Sequence, residues 1–238
     1  MNINRRLTFA ALLSILTTGC GIGVDAGPTQ TAHDDIEAGN AETVRAEIHM
    51  DSGEFTLKGG GPKLMSASYR YSEKVGRPTA RYELTGGRGL LIVESPKNAP
   101  SGLRNRINDW TLLLGAKPPM ELEIHLGAGT ADIDVSNIFG LRSMEIHMGA
   151  GEMKLNLAGK YPRDLPVEVD GGAGTAEIRL PKDMGVEVDA KVGIGGVNAS
   201  GLQKRDGKYY NDAYAEGKPA IHLDVKGGVG EINLAVAN

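Results

Sequence analysis
The chain has 238 residues, with 26 Lys and Arg against 30 Asp and Glu, and one cysteine, Cys20. A net charge of −4 with no basic cluster interleaved with aromatics excludes a nucleic-acid binder, and a lone thiol excludes an internal disulfide framework. Glycine supplies 34 residues, about twice its usual share of roughly 7%, so the backbone must turn sharply or approach itself closely at many points.

Residues 1–19, MNINRRLTFAALLSILTTG, read as a lipoprotein signal peptide. Arg5 and Arg6 form a basic start, and the uncharged run Leu7–Thr18 is too short for a membrane span of about 20 residues. Leu16-Thr17-Thr18-Gly19-Cys20 resembles a bacterial lipobox, in which the cysteine is lipidated and becomes the mature N-terminus. Cys20 is therefore the expected lipid-attachment site; an incidental cysteine after an ordinary secretory signal is the alternative. The resemblance implies a diacylglyceryl anchor, which meets the need for more than one hydrophobic signal in stable attachment. Gly21 follows, so the aspartate of inner-membrane retention is absent. The expected location is the cell envelope, on the outer membrane if the host has one.

Residues 20–41 are polar and aperiodic and read as a flexible tether, able to reach about 70 Å when extended. Residues 42–119 read as the irregular part of a β-fold. EIHMDSGEFTL at 47–57 is a worn copy of the repeat described below. Strand-like runs follow at 65–71, 80–86, 90–95 and 107–114, with Gly86–Gly89 as a hairpin loop. Leu90–Val93 is apolar at every position, so burial on both faces is expected, with a partner against one face as the alternative. Trp110 shares a face with Leu112 and Leu114 and reads as core.

Residues 120–238 carry the regular repeat: an alternating strand, a Gly-x-Gly corner and a second alternating strand. It reads EIHLGAGTADIDV at 123–135, EIHMGAGEMKLNL at 145–157 and VEVDGGAGTAEIRL at 167–180, and returns at 186–202 and 221–234. The second corner glycines are Gly129, Gly151, Gly174, Gly195 and Gly230. Residues two apart share a face of a strand, so Leu122, Ile124 and Leu126, then Ala131, Ile133 and Val135, make one apolar face. A lone strand pair cannot bury it, whereas stacked copies can. A repeat of about 22 residues therefore predicts an all-β solenoid, a parallel β-helix-like stack. A phosphate-cradling loop is excluded, because a strand and not a helix follows every corner.

Two regions are candidates for function. The outward positions before the corners form a column that includes Glu47 and His49, Glu123 and His125, Glu145 and His147, Glu168 and Asp170, and Glu187 and Asp189, with His222 and Asp224 joining if register holds. At about 4.8 Å between rungs, Glu123, His125, Glu145 and His147 are the candidate ligands for a divalent metal, or carboxylates for a carbohydrate-active β-helix. The simpler reading is a solvated face, since a flat sheet sets ligands in a row and does not surround an ion; no cofactor or catalytic residue is assigned. The insertion 202–219 holds Tyr209, Tyr210 and Tyr214 and is expected either to cap an open end of the stack or to serve as an interaction loop. Without a cap, two chains could stack end to end as a homodimer.

The segment NDWTLLLGAKPPMELEIHLGAGTADIDVSNIFGLRSMEIHMGAGEMKLNL at 108–157 resembles the bacterial toast-rack family, with its tryptophan strand, proline before an alternating strand and repeated Gly-Ala-Gly corners. GLQKRDGKYYNDAYAEGKPAIHLDVKGGVGEINL at 201–234 is similar to it as well. The resemblance implies a β-solenoid related to adhesin repeats and to the C-terminal domain of cell-wall-stress regulators, without enzymatic activity. It departs from the membrane-bound regulators in having a lipobox in place of transmembrane helices. The expected function is that of a membrane-anchored envelope lipoprotein, its partner an envelope protein or cell-wall glycan.

Overall fold
A computed structural model describes residues 24–100, 102–215 and 217–237, which are all-β. Five long strands, β7 (Met120–Asp134), β8 (Leu141–Asn156), β9 (Leu165–Leu180), β10 (Gly185–Ser200) and β13 (Ala220–Val236), each run through a corner. β2 (Thr43–Gly61) does the same in the N-terminal half. These six strands lie parallel in the order β2-β7-β8-β9-β13-β10. Each therefore contributes its first arm to one sheet and its second arm to another, and the two sheets meet along the line of corners.

The apolar parity places the core between the sheets. Ala46, Ile48, Leu122, Ile124, Ile146 and Val169 from the first arms are buried, as are Phe55, Leu57, Ile133, Leu155 and Ile178 from the second. A fully buried Leu or Ile contributes roughly 1.5–3 kcal/mol relative to exposure, but only when neighbouring rungs cover it. At the N-terminal end the two sheets are extended differently. The first gains β5 (Arg88–Glu94), parallel to β2, and then β4 (Thr79–Thr85), antiparallel to β5. The second gains β6 (Asn108–Gly115), β3 (Met65–Ser72) and β1 (Thr29–Ile36). Trp110 is core as expected: its Nε1–H donates to Asn108 Oδ1 at 2.8 Å, and its ring meets Tyr69 edge-on with centroids 5.6 Å apart.

The structure corrects two readings and adds the spatial order of the last rungs. The expected tether is folded from residue 25 onward: Asp25 bridges to Arg104, Ala26 is buried, and residues 29–36 pair with β3. Alternating polar residues hid a strand of which only one face meets the protein. Of the apolar run in β5, Leu91 and Val93 are buried while Leu90 and Ile92 are half-buried, because β5 packs on the core by one face. The last repeat does not end the stack. β13 sits between β9 and β10, which makes β10 the final rung. The signal-peptide reading and Cys20 lie outside the described residues.

The corner glycines are where backbone freedom is required. Gly129, Gly151, Gly174 and Gly230 have φ of 135, 133, 137 and 139°, a region that side chains rarely adopt. A Cβ on Gly151 would lie 1.8 Å from the Gly129 carbonyl oxygen, and one on Gly174 would lie 1.8 Å from that of Gly151. Gly171 and Gly227 differ. They occupy the inward column of Leu126 and Met148 beside an apolar gap next to Ala176, and a Cβ on Gly227 meets nothing nearer than 3.4 Å. Gly151→Ala is expected to cost at least about 3 kcal/mol. Gly227→Ala is expected to be neutral or stabilising by up to about 1 kcal/mol, through a filled gap and a less free unfolded chain. Urea denaturation of the two variants beside the parent checks both.

Candidate functional site
The outward face of the first sheet follows from counting back from each corner. Six residues before the second glycine stand Glu47, Glu123, Glu145, Glu168, Asp224 and Asp189, and the strand register stacks them in that order. Beside this carboxylate column runs a second one, His49, His125, His147, Asp170, Lys226 and Lys191. The expected column is present through Glu168 and Asp170, and the last two rungs are offset by two residues, so Asp224 and Asp189 continue the carboxylates and Lys226 and Lys191 stand beside them. Asp189, and not Glu187, continues it, while Glu187 pairs with His222 one pleat earlier.

The histidines and lysines of the second column, with Arg45, bond to the carboxylates of the first, while Asp170 adds a further acid. His125 Nε2 meets Glu123 Oε1 at 2.7 Å and His147 Nε2 meets Glu145 Oε1 at 2.8 Å, the imidazole N–H donating to the carboxylate in each pair. Arg45 bridges Glu47 and Glu123. Lys226 reaches Glu168 at 3.0 Å and Asp224 at 3.4 Å, and Lys191 reaches Asp189 at 2.9 Å. The hydrogen bond from His125, aided by Arg45, holds the Glu123 carboxyl below its ordinary value of 4.5. The rings of His49, His125 and His147 stack at centroid spacings of 4.8 Å. Each ring has its Nε2 toward the glutamate two residues before it on its own strand, and His147 Nδ1 lies 3.5 Å from Asp170 Oδ2. Among the described residues no group of His, Cys, Asp or Glu converges so as to hold a metal ion.

The insertion forms the hairpin β11 (Gln203–Arg205) and β12 (Lys208–Tyr210), turned by Asp206 and Gly207, both at positive φ. That Asp-Gly turn is the signal in the sequence for a hairpin. β12 pairs antiparallel with the first arm of β10, Tyr210 opposite Glu187 and Tyr209 opposite Val188, and so caps it. The three tyrosines sit together on this cap. Tyr210 and Tyr214 pack at 4.9 Å, the Tyr214 hydroxyl donates to Glu187 Oε2 at 3.2 Å, and Lys204 and Arg205 lie over the rings of Tyr209 and Tyr210. Lys208 donates to Glu187 Oε1 at 2.6 Å, and this bond chiefly lowers the Glu187 pKa.

Asn211, between the tyrosines, is a residue to which sequence reasoning assigned no role. It is 3% exposed. Its amide donates to the carbonyls of Pro181 and Met184 at 3.0 and 2.8 Å, and its Oδ1 accepts from Val186 N–H at 3.0 Å. It ties the hairpin to the turn before β10 and satisfies three backbone groups that would otherwise be buried without partners.

Comparison with known proteins identifies the fold. Residues 25–179 match the family model described as the N-terminal domain of toast_rack, DUF2154, and residues 128–234 match one described as cell wall-active antibiotics response LiaF, C-terminal. The chain belongs to the toast_rack family. It is 31% identical to a protein of known structure from Clostridium sporogenes, whose description names it a candidate cell adhesion protein; the match covers 88% of this chain and 100% of that one at a TM-score of 0.83. Two Parabacteroides distasonis structures are far less alike. One is described as a candidate lipid binding protein (14% identity, 87% and 97% coverage, TM-score 0.32) and the other as a candidate adhesin (9%, 88% and 99%, 0.25), and neither bears on the argument. No curated protein matches.

Two outcomes are expected. Asn211→Ala leaves buried backbone groups unpaired, at roughly 1–3 kcal/mol for a buried unsatisfied group. It should speed hydrogen exchange in 203–214 while leaving 120–160 protected; equal loss everywhere would contradict a local clamp. Because its folded pKa is depressed, Glu123 stabilises the fold above pH 4.5, and this contribution is lost as pH falls through the folded value. Carbon-detected NMR should show Glu123 titrating below 4.5 and moving up in His125→Ala.

Proposed function
We propose that the chain is a non-enzymatic lipoprotein of the cell envelope, anchored through Cys20, that presents a stiff β-solenoid to an envelope protein or cell-wall glycan in envelope-stress response or adhesion. The observation that carries this reading is the form of the outward surface. Its titratable groups lie in register-locked, mutually paired columns on a flat sheet, an arrangement suited to contact over an area and not to enclosing a reacting group. The family match to a cell-wall antibiotic-response domain and the likeness to a candidate cell adhesion protein support the same reading.

The anchor would be close. Asp25 is already paired with the domain, so only four residues separate it from Cys20, a reach of at most about 17 Å. The second sheet then runs from β1 to β10 across eight strand steps, about 38 Å, which sets the β10 end that far along the stack from β1.

The test is fractionation of cells expressing the full chain, labelled with an alkyne fatty acid. The parent chain is expected in the membrane fraction and labelled. Cys20→Ser is expected unlabelled and released by mild washing. An unlabelled parent chain, or a Cys20→Ser chain equally membrane-bound, would contradict the anchor.

A further inference from the structure
Among the described residues the sheets have four edges, and these are not treated alike. The outer edge at β1 carries His33, Asp34 and Asp35, that at β4 carries Arg81 and Glu83, and that at β11 carries Lys204 and Arg205. Charged side chains on an edge strand discourage further pairing. The fourth edge is the second arm of β10. Val192–Ser200 reads VGIGGVNAS, with no charge and no proline, and among the described residues no strand pairs with its outer side.

We propose that this second arm of β10 is a strand-acceptor edge, which takes an extended segment of a partner protein as an added strand. Three further observations shape the occupant. The core is unfinished here: Val197 and Ala199, the positions of Ile232 and Leu234 in the preceding rung, are only half-buried while those two are buried. A strand alongside with aliphatic side chains at alternate inward positions would close it. On the outer face the Asn198 amide donates to Asn233 Oδ1 at 2.9 Å. This leaves a side-chain amide ladder that a further Asn, Ser or Thr continues. At the corner, Ile194 is 70% exposed beside Val229 at 52%, where Ala128, Ala150 and Ala173 stand in the earlier rungs.

The shape of the end selects a single strand over a second copy. The first sheet continues two strands past β10 as β12 and β11, whereas the second sheet stops at β10. Another complete rung stacked here would need the place β12 already holds, but one extended strand along the second arm does not. The flanks are basic, with Lys191 just before the edge and Lys204 and Arg205 on β11, so an acidic flank on the incoming segment fits. Main-chain hydrogen bonds would supply affinity and the alternate side-chain positions specificity. The edge lies at the end remote from residue 25. This inference rests on the chain being an interaction module; it does not depend on the lipid anchor.

The experiment uses the full chain carrying Cys20→Ser and a fluorescent synthetic peptide, VGEINLAVA, which copies 229–237, the segment that pairs with β10 on its inner side. Saturable binding is expected, with several-fold slower hydrogen exchange in 192–200 and none of that slowing in 120–160. Val197→Lys, which puts a charge toward the open core, should abolish binding. Asn198→Lys, on the exposed face, should weaken it severalfold and serves if the first variant does not fold. Absence of binding, or binding that neither lysine diminishes, would overturn the proposal. So would 192–200 protected without peptide in a chain that sediments as a dimer, since a second copy would then hold the edge. Failure here leaves the fractionation result untouched, and a failed anchor leaves the peptide result untouched.

Discussion

The structure depends on the close approach of backbone at the corners. A Cβ on each second corner glycine would lie within 2 Å of a carbonyl oxygen on the rung beneath, from Gly53 against Asn108, through Gly129, Gly151 and Gly174, to Gly230 and Gly195. Only glycine lets the strands nest this tightly while taking a positive φ. The consequence is long-range. Because each strand passes unbroken through its corner, register set there is inherited by both sheets, and side chains from Glu121 to Asp134 and their partners in β8 are placed by their distance from the glycine. The apolar columns, the carboxylate column and the imidazole column are three results of one constraint.

That dependence explains what the sequence showed and what it hid. Alternation around the corners was enough to place Ile124, Ile133, Ile146 and Leu155 in the core and to predict a stacked all-β fold. Assigning Glu187 to the carboxylate column matched its VEVD segment to the one at 167–170 by likeness. Counting six residues back from Gly195 gives Asp189, as the register does. Residues 29–36 were hard to read because an edge strand with one solvated face needs few apolar residues. The position of β13 was not legible from local pattern at all. It follows from the hairpin, which occupies the outer side of the first arm of β10 and leaves the slot between β9 and β10 for the last strand. Asn211 lay inside a segment noticed for its tyrosines; a buried amide that serves three backbone groups has no signature in spacing.

The outer ladder shows how six stacked carboxylates are tolerated at about 4.8 Å spacing. Like charges on adjacent strands destabilise a sheet, and here histidine, arginine and lysine in the neighbouring columns answer them pair by pair. Most of these pairs are substantially exposed, so each contributes little to stability. Their effect is to keep the face soluble and regular. The two ends of the stack differ more than its faces do. The N-terminal end is extended by extra strands and lies near residue 25, while the β10 end is capped over one arm and bare over the other. The asymmetric end adds a distinct contact to the extended one of the repetitive face, where a repeated column offers the same groups at each rung.

The central claim is that the corners form one continuous stack in the order β9, β13, β10. It is tested most directly by paired cysteines at the middle corner position, in a Cys20→Ser chain. Ala173 and Val229 are register partners, about 4.8 Å apart and within disulfide range. Ala173 and Ile194 are two steps apart, at about 9.6 Å. Mild oxidation is expected to give an intramolecular disulfide in Ala173→Cys/Val229→Cys and none in Ala173→Cys/Ile194→Cys. The reverse result would mean that the rungs follow chain order, and would contradict the account.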